Sequence, residues 1–585
     1  MENTYIISDN SDWIQKIIKQ LELPNNQVLY YQEWREDFIF DEWVSINIKL
    51  DISYLIIPIE LGSNRYNSFE GLRLAMHIRL MRSHVRYLPI IFISNREEWQ
   101  IHQMLRDNLD KNHLDYLIGT KGTDFLKPNI SEIKAVLENI KPLNEEEYKA
   151  QFYDHIHLLP LEEDGGKHSL ANIWGALRLN EVLNLNAIED KNLTNRTREL
   201  YFKYLRAFHE ESKCSFKDLQ PLQCNGKRIL LIDDEANKGW KEVLGSIFKD
   251  AGNGFQVISD FSDINKGIAE ATKRATEENW DLILLDLRLN PQKEDKPNSL
   301  LKAENYSGAE LLKVIKEYNK GVQVIMLTAS NKAWNMKKLL DLGADGYYIK
   351  ESPEFNFSAE FTQESYDNFR NECNACFEKY YLRKIFEIDQ IIQKRLDLEN
   401  GILGNHTLSR GTVNLIKAYL KQAFNAIYEY SQTQKEYALY SFLEYYKIVE
   451  LLGKELINDN STKFFVKRRS GNIDFIIKSP LLSKIEPVKE FSNSGKYFIK
   501  SYKEKDYTPI SDDEVFYKKP TSSLRFSGLM LLRFSFGEAS VETFMSLNNL
   551  RNTVVAHSAD NSALEIKVEN VIALLEILEK VFQKL

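Results

Sequence analysis

A chain of 585 residues is long enough for roughly three or four domains of ordinary size. With 43% hydrophobic and 28% charged residues it has the make-up of a folded, water-exposed protein, and no apolar run approaches the ~18 residues that cross a bilayer. Four cysteines exclude a disulfide framework and point to a reducing cytoplasm, while a formal net charge of −9 excludes a protein that coats nucleic acid over its whole surface.

Residues 1–145 open on MENTYIISDNSDW, an acidic, strand-like run without the basic start of a signal peptide. NTYIISDN reads as a first strand, SYLIIPIEL as a third, YLPIIFISN as a fourth and LDYLIGTKG as a fifth. The loop ELGSNRYNSFEGLRL contains glycines without a phosphate-cradling pattern. Residues 146–222 follow as a helical linker segment, in which GGKHSLANIWGALRLNEVL sets His168 and Asn172 one turn apart. One reading is a helical hairpin with Leu170, Ile173 and Leu177 in its core and His168 at an interface or capping the amino terminus.

In residues 223–378 strands and helices alternate throughout. KRILLIDDEANKGW (227–240) sets Ile229, Leu230, Leu231 and Ile232 in a row, a strand covered on both faces as in parallel sheets. GFQVISDF, DLILLDLRL, VQVIMLTAS and DGYYIKES supply four more strands with helices between them, which implies a doubly wound sheet with right-handed crossovers. Asp233 and Asp234 end the first strand, Asp286 lies in the third, Thr328 ends the fourth and Lys350 the fifth. All project at one sheet edge, where open α/β sheets bind ligands. Three carboxylates there suit Mg²⁺. One can act as a nucleophile toward a phosphoryl group, with an ammonium and a hydroxyl to stabilise its oxygens.

IDDE, LLDLRL, MLTAS and GYYIKES, in this order and spacing, resemble the receiver domain of two-component response regulators over about 125 residues. The resemblance implies a flavodoxin-like strand order 2-1-3-4-5, with Asp286 as phosphoacceptor and Asp233, Asp234 and Asp286 as Mg²⁺ ligands. It further implies Thr328 and Lys350 as readers of the phosphate, and Tyr347 as the aromatic that swings inward on activation. A histidine kinase or phosphotransfer protein would be the partner. Two features depart from the family. Glu351 stands where a proline usually follows the lysine, and NPQKEDKPNSLLKAENY makes an unusually long loop before Ser307 and Gly308.

Against this domain, residues 1–145 resemble a degenerate pseudo-receiver. Ser8 and Asp9 stand where the acidic pair belongs, Pro58 at the phosphoacceptor position, and Ser94 at that of the threonine. Proline has no nucleophile and one acid holds Mg²⁺ poorly, so docking or dimerisation is the expected role. The alternative is a different doubly wound domain whose small-molecule site recruits Glu60. The stretch around His168 loosely resembles the phosphorylated-histidine helix of kinases and phosphotransfer proteins, which implies a relay to Asp286. No ATP-binding motif is present, so the kinase is a separate protein. Cys373 and Cys376 read as apolar neighbours on one long helix, NFRNECNACFEKYYLRKIF, more readily than as a zinc pair.

Residues 379–585 lose the strand rhythm and read as a helical bundle, with a basic insertion at about 463–525 that carries 14 Lys or Arg against 8 Asp or Glu. FFVKRR and KYFIKSYK interleave cations with aromatics, a composition that suits RNA and equally a solvated hairpin. LNNLRNTVVAHSAD resembles the motif of HEPN domains, in which Arg, often followed by Asn, precedes a His. The resemblance implies that Arg551, Asn552 and His557 of two chains meet in a homodimer and cut RNA without metal. Arg551 would grip phosphate oxygens and His557 would move the proton of the ribose 2′-hydroxyl. Glu450, on FLEYYKIVELLGK, is the candidate supporting acid.

The fold expected is therefore multidomain α/β plus α, with two flavodoxin-like doubly wound receiver folds followed by a C-terminal helical bundle. The function expected is a cytoplasmic response-regulator-like protein whose receiver controls a HEPN-like endoribonuclease, in a stress or antiphage defence role. The alternative is a phosphorylation-controlled scaffold without catalysis. Transcriptional control is disfavoured, because no helix-turn-helix signature follows the receiver.

Overall fold

The computed structural model describes residues 3–585 apart from 33–35, 50, 63–68, 108–113, 151–155, 157, 160–165, 209–221, 295–301, 330–332, 354–358, 400–407, 432, 461–462, 469–470, 476–484, 489–497, 502–525, 528, 531–533, 535 and 557–564. It divides into two compact units, one built from Met1–Lys273, Ile283–Leu311 and Val324–Asn374, the other from Arg274–Leu282, Leu312–Gln323 and Ala375–Leu585.

The first unit begins with strands β1 (Thr4–Ser8), β2 (Val28–Tyr30), β3 (Tyr54–Pro58), β4 (Ile90–Ile93) and β5 (Thr123–Leu126), in the order β2-β1-β3-β4-β5. Every pairing is parallel. Helices α1 (Asp12–Leu21), α2 (Asp37–Asn47), α3 (Glu70–Arg79), α4 (Glu98–Asp107) and α5 (Ile130–Asn139) accompany them, then the single turn α6 (Glu145–Tyr148). All four residues of β4 are fully buried, as a strand covered on both faces requires. The expected fifth strand is displaced. Leu114–Leu117 form a 3-10 turn whose last carbonyl accepts the Thr120 and Thr123 hydroxyls, and β5 starts only after Gly119 and Gly122, both at positive φ. The apolar pattern of LDYL thus fills the core from a turn rather than from the sheet.

Between the two sheets run α7 (Gly166–Val182), α8 (Lys191–Arg196) and α9 (Leu200–Phe208). From Ser169 to Leu179 every residue of α7 is buried, which marks a helix covered all round. Leu170, Ile173 and Leu177 are core residues, as expected of them.

The second sheet contains β6 (Ile229–Ile232), β7 (Phe255–Ile258), β8 (Leu282–Asp286), β9 (Val324–Thr328) and β10 (Gly346–Ile349), in the order β7-β6-β8-β9-β10. This repeats the 2-1-3-4-5 arrangement of the first sheet. Its helices are α10 (Trp240–Ile247), α11 (Ile264–Glu277), the turn α12 (Pro291–Glu294), α13 (Ser307–Tyr318), α14 (Ala333–Asp341) and α15 (Ala359–Glu378). The single long helix expected through NFRNECNACFEKYYLRKIF is two. After α15 the chain turns at Lys379 and Tyr380, which leaves Tyr380 60% exposed while Tyr381, opening α16 (Tyr381–Glu399), is 5% exposed. Cys373 and Cys376 are buried on α15, and among the described residues no cluster of acids, histidines or cysteines is arranged to hold a metal.

In the second unit α16, α17 (Arg410–Tyr428), α18 (Glu436–Leu456), α19 (Glu538–Ala556) and α20 (Val568–Lys584) bury one continuous apolar core. Ser409 caps α17 by accepting the Thr412 N–H at 3.3 Å. The chain between α18 and α19 carries a three-stranded antiparallel sheet, β11 (Ile457–Asn460), β12 (Lys463–Arg468) and β13 (Gly471–Phe475), and the hairpin pair β14 (Ile485–Val488) and β15 (Phe498–Ser501). Only the backbone of these five strands is described, so the expected basic and aromatic face lies outside the described residues. Among the described residues no helix is long and apolar enough to cross a membrane.

Candidate functional site

The carboxyl edge of the second sheet gathers the residues that the sequence placed there. Asp286 is the last residue of β8, Thr328 the last of β9, and Lys350 follows β10 directly. Lys350 Nζ donates to Asp286 Oδ1 at 2.6 Å and to Asp233 Oδ2 at 2.8 Å. Asp286 Oδ2 accepts the Arg288 N–H at 2.7 Å, and Asp233 Oδ1 accepts the Glu235 N–H at 2.9 Å. These backbone bonds orient both carboxylates. Lys350 and Asp233 are fully buried and Asp286 is 2% exposed. Burial alone would lower the Lys350 ammonium, but the charges of Asp233 and Asp286 outweigh it and hold its pKa above the ordinary lysine range. Asp233 is pushed up, by burial first, with Lys350 opposing and Asp286 adding to it.

Asp234 has no ion-pair partner among the described residues, and the nearby Lys350 charge only partly offsets what raises its carboxyl. Its Oδ1 is buried with no hydrogen-bond partner, and burial, followed by the negative charges of Asp286, Asp233 and Glu235, pushes its carboxyl up to about 9. Carboxylates of this kind at Asp233, Asp234 and Asp286 would suit a hard cation such as Mg²⁺. The three acids do not converge as metal ligands here, since Asp233 and Asp286 each turn an oxygen to Lys350.

Thr328 is buried at the same edge, and its carbonyl accepts the Lys350 N–H at 2.7 Å. Tyr347 is half-buried on β10, its N–H bonded to Glu372 Oε2 at 3.0 Å. The long loop begins with an ordered anchor. Glu294 of α12 accepts the Ser307 N–H at 2.7 Å and faces its hydroxyl at 3.1 Å.

One participant was not foreseen. Asn172 of α7 is fully buried, and its Oδ1 accepts the third hydrogen bond of Lys350 Nζ at 2.8 Å. The indole of Trp240 lies against the same ammonium, 5.2 Å from Nζ to the ring centroid. Its stretch, SLANIWGALRL, also carries Ser169 and Arg178, so no local pattern singles Asn172 out. His168 stands one turn before Asn172 in α7, but its side chain lies outside the described residues.

The first sheet lacks this constellation. Pro58 ends β3, and Ser94 Oγ donates to Glu60 Oε1 at 2.7 Å. Arg96 Nε also faces Glu60 Oε1, at 3.3 Å, so this acid is already paired with a guanidinium. Asp9 accepts the Gly62 N–H at 3.2 Å. A different polar cluster, unanticipated from sequence, lies where α9 meets α2 and α3. Lys203 Nζ donates to Asp41 Oδ1 at 2.6 Å, and Asp37 Oδ1 receives His77 Nε2 at 3.2 Å. Burial, then the charge of Lys203, lowers His77 to about 4, against the pull of Asp37.

In the second unit Arg551 lies on α19 with its guanidinium 4.6 Å from the centroid of Tyr446 and Nη2 3.3 Å from Glu450 Oε1. Asn552 Oδ1 accepts from Arg551 Nη1 at 3.2 Å, and the Tyr446 hydroxyl donates to Asn548 Oδ1 at 2.6 Å. Arg551, Asn552 and Glu450 are therefore neighbours. His557 lies outside the described residues.

Comparison with known proteins agrees with the two sheets. Residues 3–126 match the inactive receiver domain family, and residues 229–359 match the response regulator receiver domain family. A nitrate/nitrite response regulator protein homolog of Haemophilus influenzae is 27% identical over 127 residues, which are 21% of this chain and 50% of that protein. This chain thus spans about half the length of that relative. The crystal structure of a CheY-like response regulator receiver domain protein from Methanospirillum hungatei is 22% identical, covering 25% of this chain and 96% of its own at a TM-score of 0.18. The chain carries an inactive receiver followed by a response-regulator receiver.

Proposed function

We propose that this protein is a response-regulator-like switch in which Asp286 accepts a phosphoryl group from a separate histidine kinase or phosphotransfer protein. The observation that carries the proposal is the Lys350 ammonium held between Asp286 and Asp233 at 2.6 and 2.8 Å. A carboxylate oxygen of Asp286 attacks the donor phosphorus, the donor's P–N bond breaks, and the leaving imidazole takes up a proton. Lys350 and the Thr328 hydroxyl then stabilise the phosphoryl oxygens. Mg²⁺ held by Asp233, Asp234 and Asp286 would supply charge neutralisation to the incoming phosphate.

The output we assign to the C-terminal helical domain is HEPN-like, metal-independent RNA cleavage by a homodimer, in a cytoplasmic stress or antiphage role. Its support is the clustering of Arg551, Asn552 and Glu450 beside Tyr446. His557 takes the 2′-hydroxyl proton as that oxygen attacks the adjacent phosphorus to close a 2′,3′-cyclic phosphate, and the P–O5′ bond breaks as O5′ takes up a proton and leaves as a 5′-hydroxyl. The test is RNA degradation in EDTA by wild type and His557→Ala, each with and without a phosphodonor. Cleavage lost in the variant supports the nuclease, and no cleavage by either form under any condition overturns it.

A second reading is favoured by one observation. A guanidinium stacked on Tyr446 and paired with Glu450 is also what a tie between helices looks like. In that case the same phosphorylation controls a non-catalytic scaffold.

A further inference from the structure

Helix α7 is set onto the phosphoacceptor pocket at backbone distance. A Cβ added to Gly175 would stand 2.9 Å from the Glu351 carbonyl oxygen and 3.0 Å from Trp240 Cζ2. One added to Gly239 would stand 3.1 Å from Ala176 Cβ. The surfaces that α7 covers are therefore the turn that follows Asp233 and Asp234 and the residue after Lys350. Glu351, where the receiver family usually has proline, is 5% exposed and faces Arg178 of α7, with Nε to Oε2 at 3.9 Å. The unusual residue of the receiver and the buried arginine of the helix belong to one contact.

The hydrogen-bond count of Lys350 gives this contact a consequence. An ammonium has three N–H donors, and here they go to Asp286, Asp233 and Asn172. The donor now spent on Asp286 passes to a phosphoryl oxygen formed there, and a second bond to that dianionic group needs one more. Releasing Asp233 would leave a buried carboxylate unpaired, which costs far more than releasing a neutral amide. Asn172 is thus the partner that gives way.

We propose that α7 is an intramolecular plug of the phosphoacceptor pocket, and that Asn172 and the phosphoryl group compete for the same donor of Lys350. The docked helix disfavours phosphorylation of Asp286, and phosphorylation weakens its docking by the same factor, because the coupling between the two equilibria is reciprocal. Freed, segment 166–182 becomes the element through which the receiver signals. The proposal rests on the reading of Asp286 as phosphoacceptor.

The experiment uses the full chain with acetyl phosphate and Mg²⁺ and reads two quantities: phosphoryl label on the Asp286 peptide, and hydrogen exchange of 166–182 against that of β6–β10. Asn172→Ala and Gly175→Leu are compared with wild type, the first removing only the amide and the second forcing the helix away. Expected are lost protection in 166–182 with the sheet still protected, labelling roughly tenfold faster than wild type, and the same loss of protection in labelled wild type. Equal labelling rates, with 166–182 unmoved by phosphorylation, overturn the plug and leave the phosphoacceptor standing. No label on Asp286 in any form, even where 166–182 has opened, removes the phosphoacceptor and the plug with it.

Discussion

Lys350 Nζ stands 2.6 Å from Asp286 Oδ1, with both side chains all but sealed from solvent. In such a place an ion pair is judged by what its loss leaves behind. A buried pair adds little over an apolar substitute, but a buried charge stripped of its partner is strongly destabilising.

Lys350→Met removes the cation from between Asp233 and Asp286 while keeping most of the apolar stem. The expected cost is about 3–5 kcal/mol in chemical denaturation. Asp286→Asn, which leaves Lys350 its bond to Asp233, costs less. A Lys350→Met loss under about 1 kcal/mol would show that the pair is not buried in solution.

Asp234 gives the pocket a pH dependence of defined sign. Its carboxyl is raised, so the folded protein holds a proton that the unfolded chain releases near pH 4. Without a divalent cation, stability present in acid is lost as pH rises through that value toward about 9. Mg²⁺ bound there would displace this proton, so its affinity is expected to rise with pH over the same window. Asp234→Asn is expected to raise Tm in EDTA at pH 8 by about 2–4 °C and to abolish the Mg²⁺ response. A variant whose Tm falls, or still responds to Mg²⁺, contradicts the assignment of Asp234.

His77 acts in the opposite direction. It is buried neutral, lowered to about 4, while the unfolded chain takes up its proton near 6.5. Stability is therefore full above pH 6.5 and is lost as pH falls toward 4, by about 3 kcal/mol at most. His77→Gln should flatten that stretch of the unfolding profile, and an unchanged slope would assign it to another group.

Arg551 separates structure from catalysis in the helical domain. Its pair with Glu450 is 30% and 42% exposed, so breaking it with Glu450→Gln costs under about 1 kcal/mol. Arg551→Lys keeps the charge but loses the fork that grips two phosphate oxygens. RNA turnover by Arg551→Lys is expected to fall about a hundredfold with Tm nearly unchanged, measured on one RNA at fixed salt. Equal turnover by Arg551→Lys and wild type removes Arg551 from the catalytic machinery, and no turnover by either favours the scaffold.

Much of this architecture was legible because the strands are continuous aliphatic runs ending in polar residues. Ile229–Ile232 followed by Asp233, and Leu282–Leu285 followed by Asp286, place the acids by strand period alone. What was not legible depended on contacts distant in sequence. Asn172 reaches Lys350 across 178 residues, and Lys203 reaches Asp41 across 162, so no local pattern announces either. LDYL misled because a 3-10 turn and a short buried strand present the same apolar residues to a core. The break at Tyr380 is not legible because the helical pattern runs on through it while the chain turns.

The central claim is that Asp286 is chemically the acceptor. Wild type and Asp286→Asn are treated with acetyl phosphate and Mg²⁺, and hydroxylamine-labile phosphoryl groups are counted by intact mass. The account predicts one on wild type and none on Asp286→Asn. Equal phosphorylation of both, or none on wild type at any donor concentration, would contradict it.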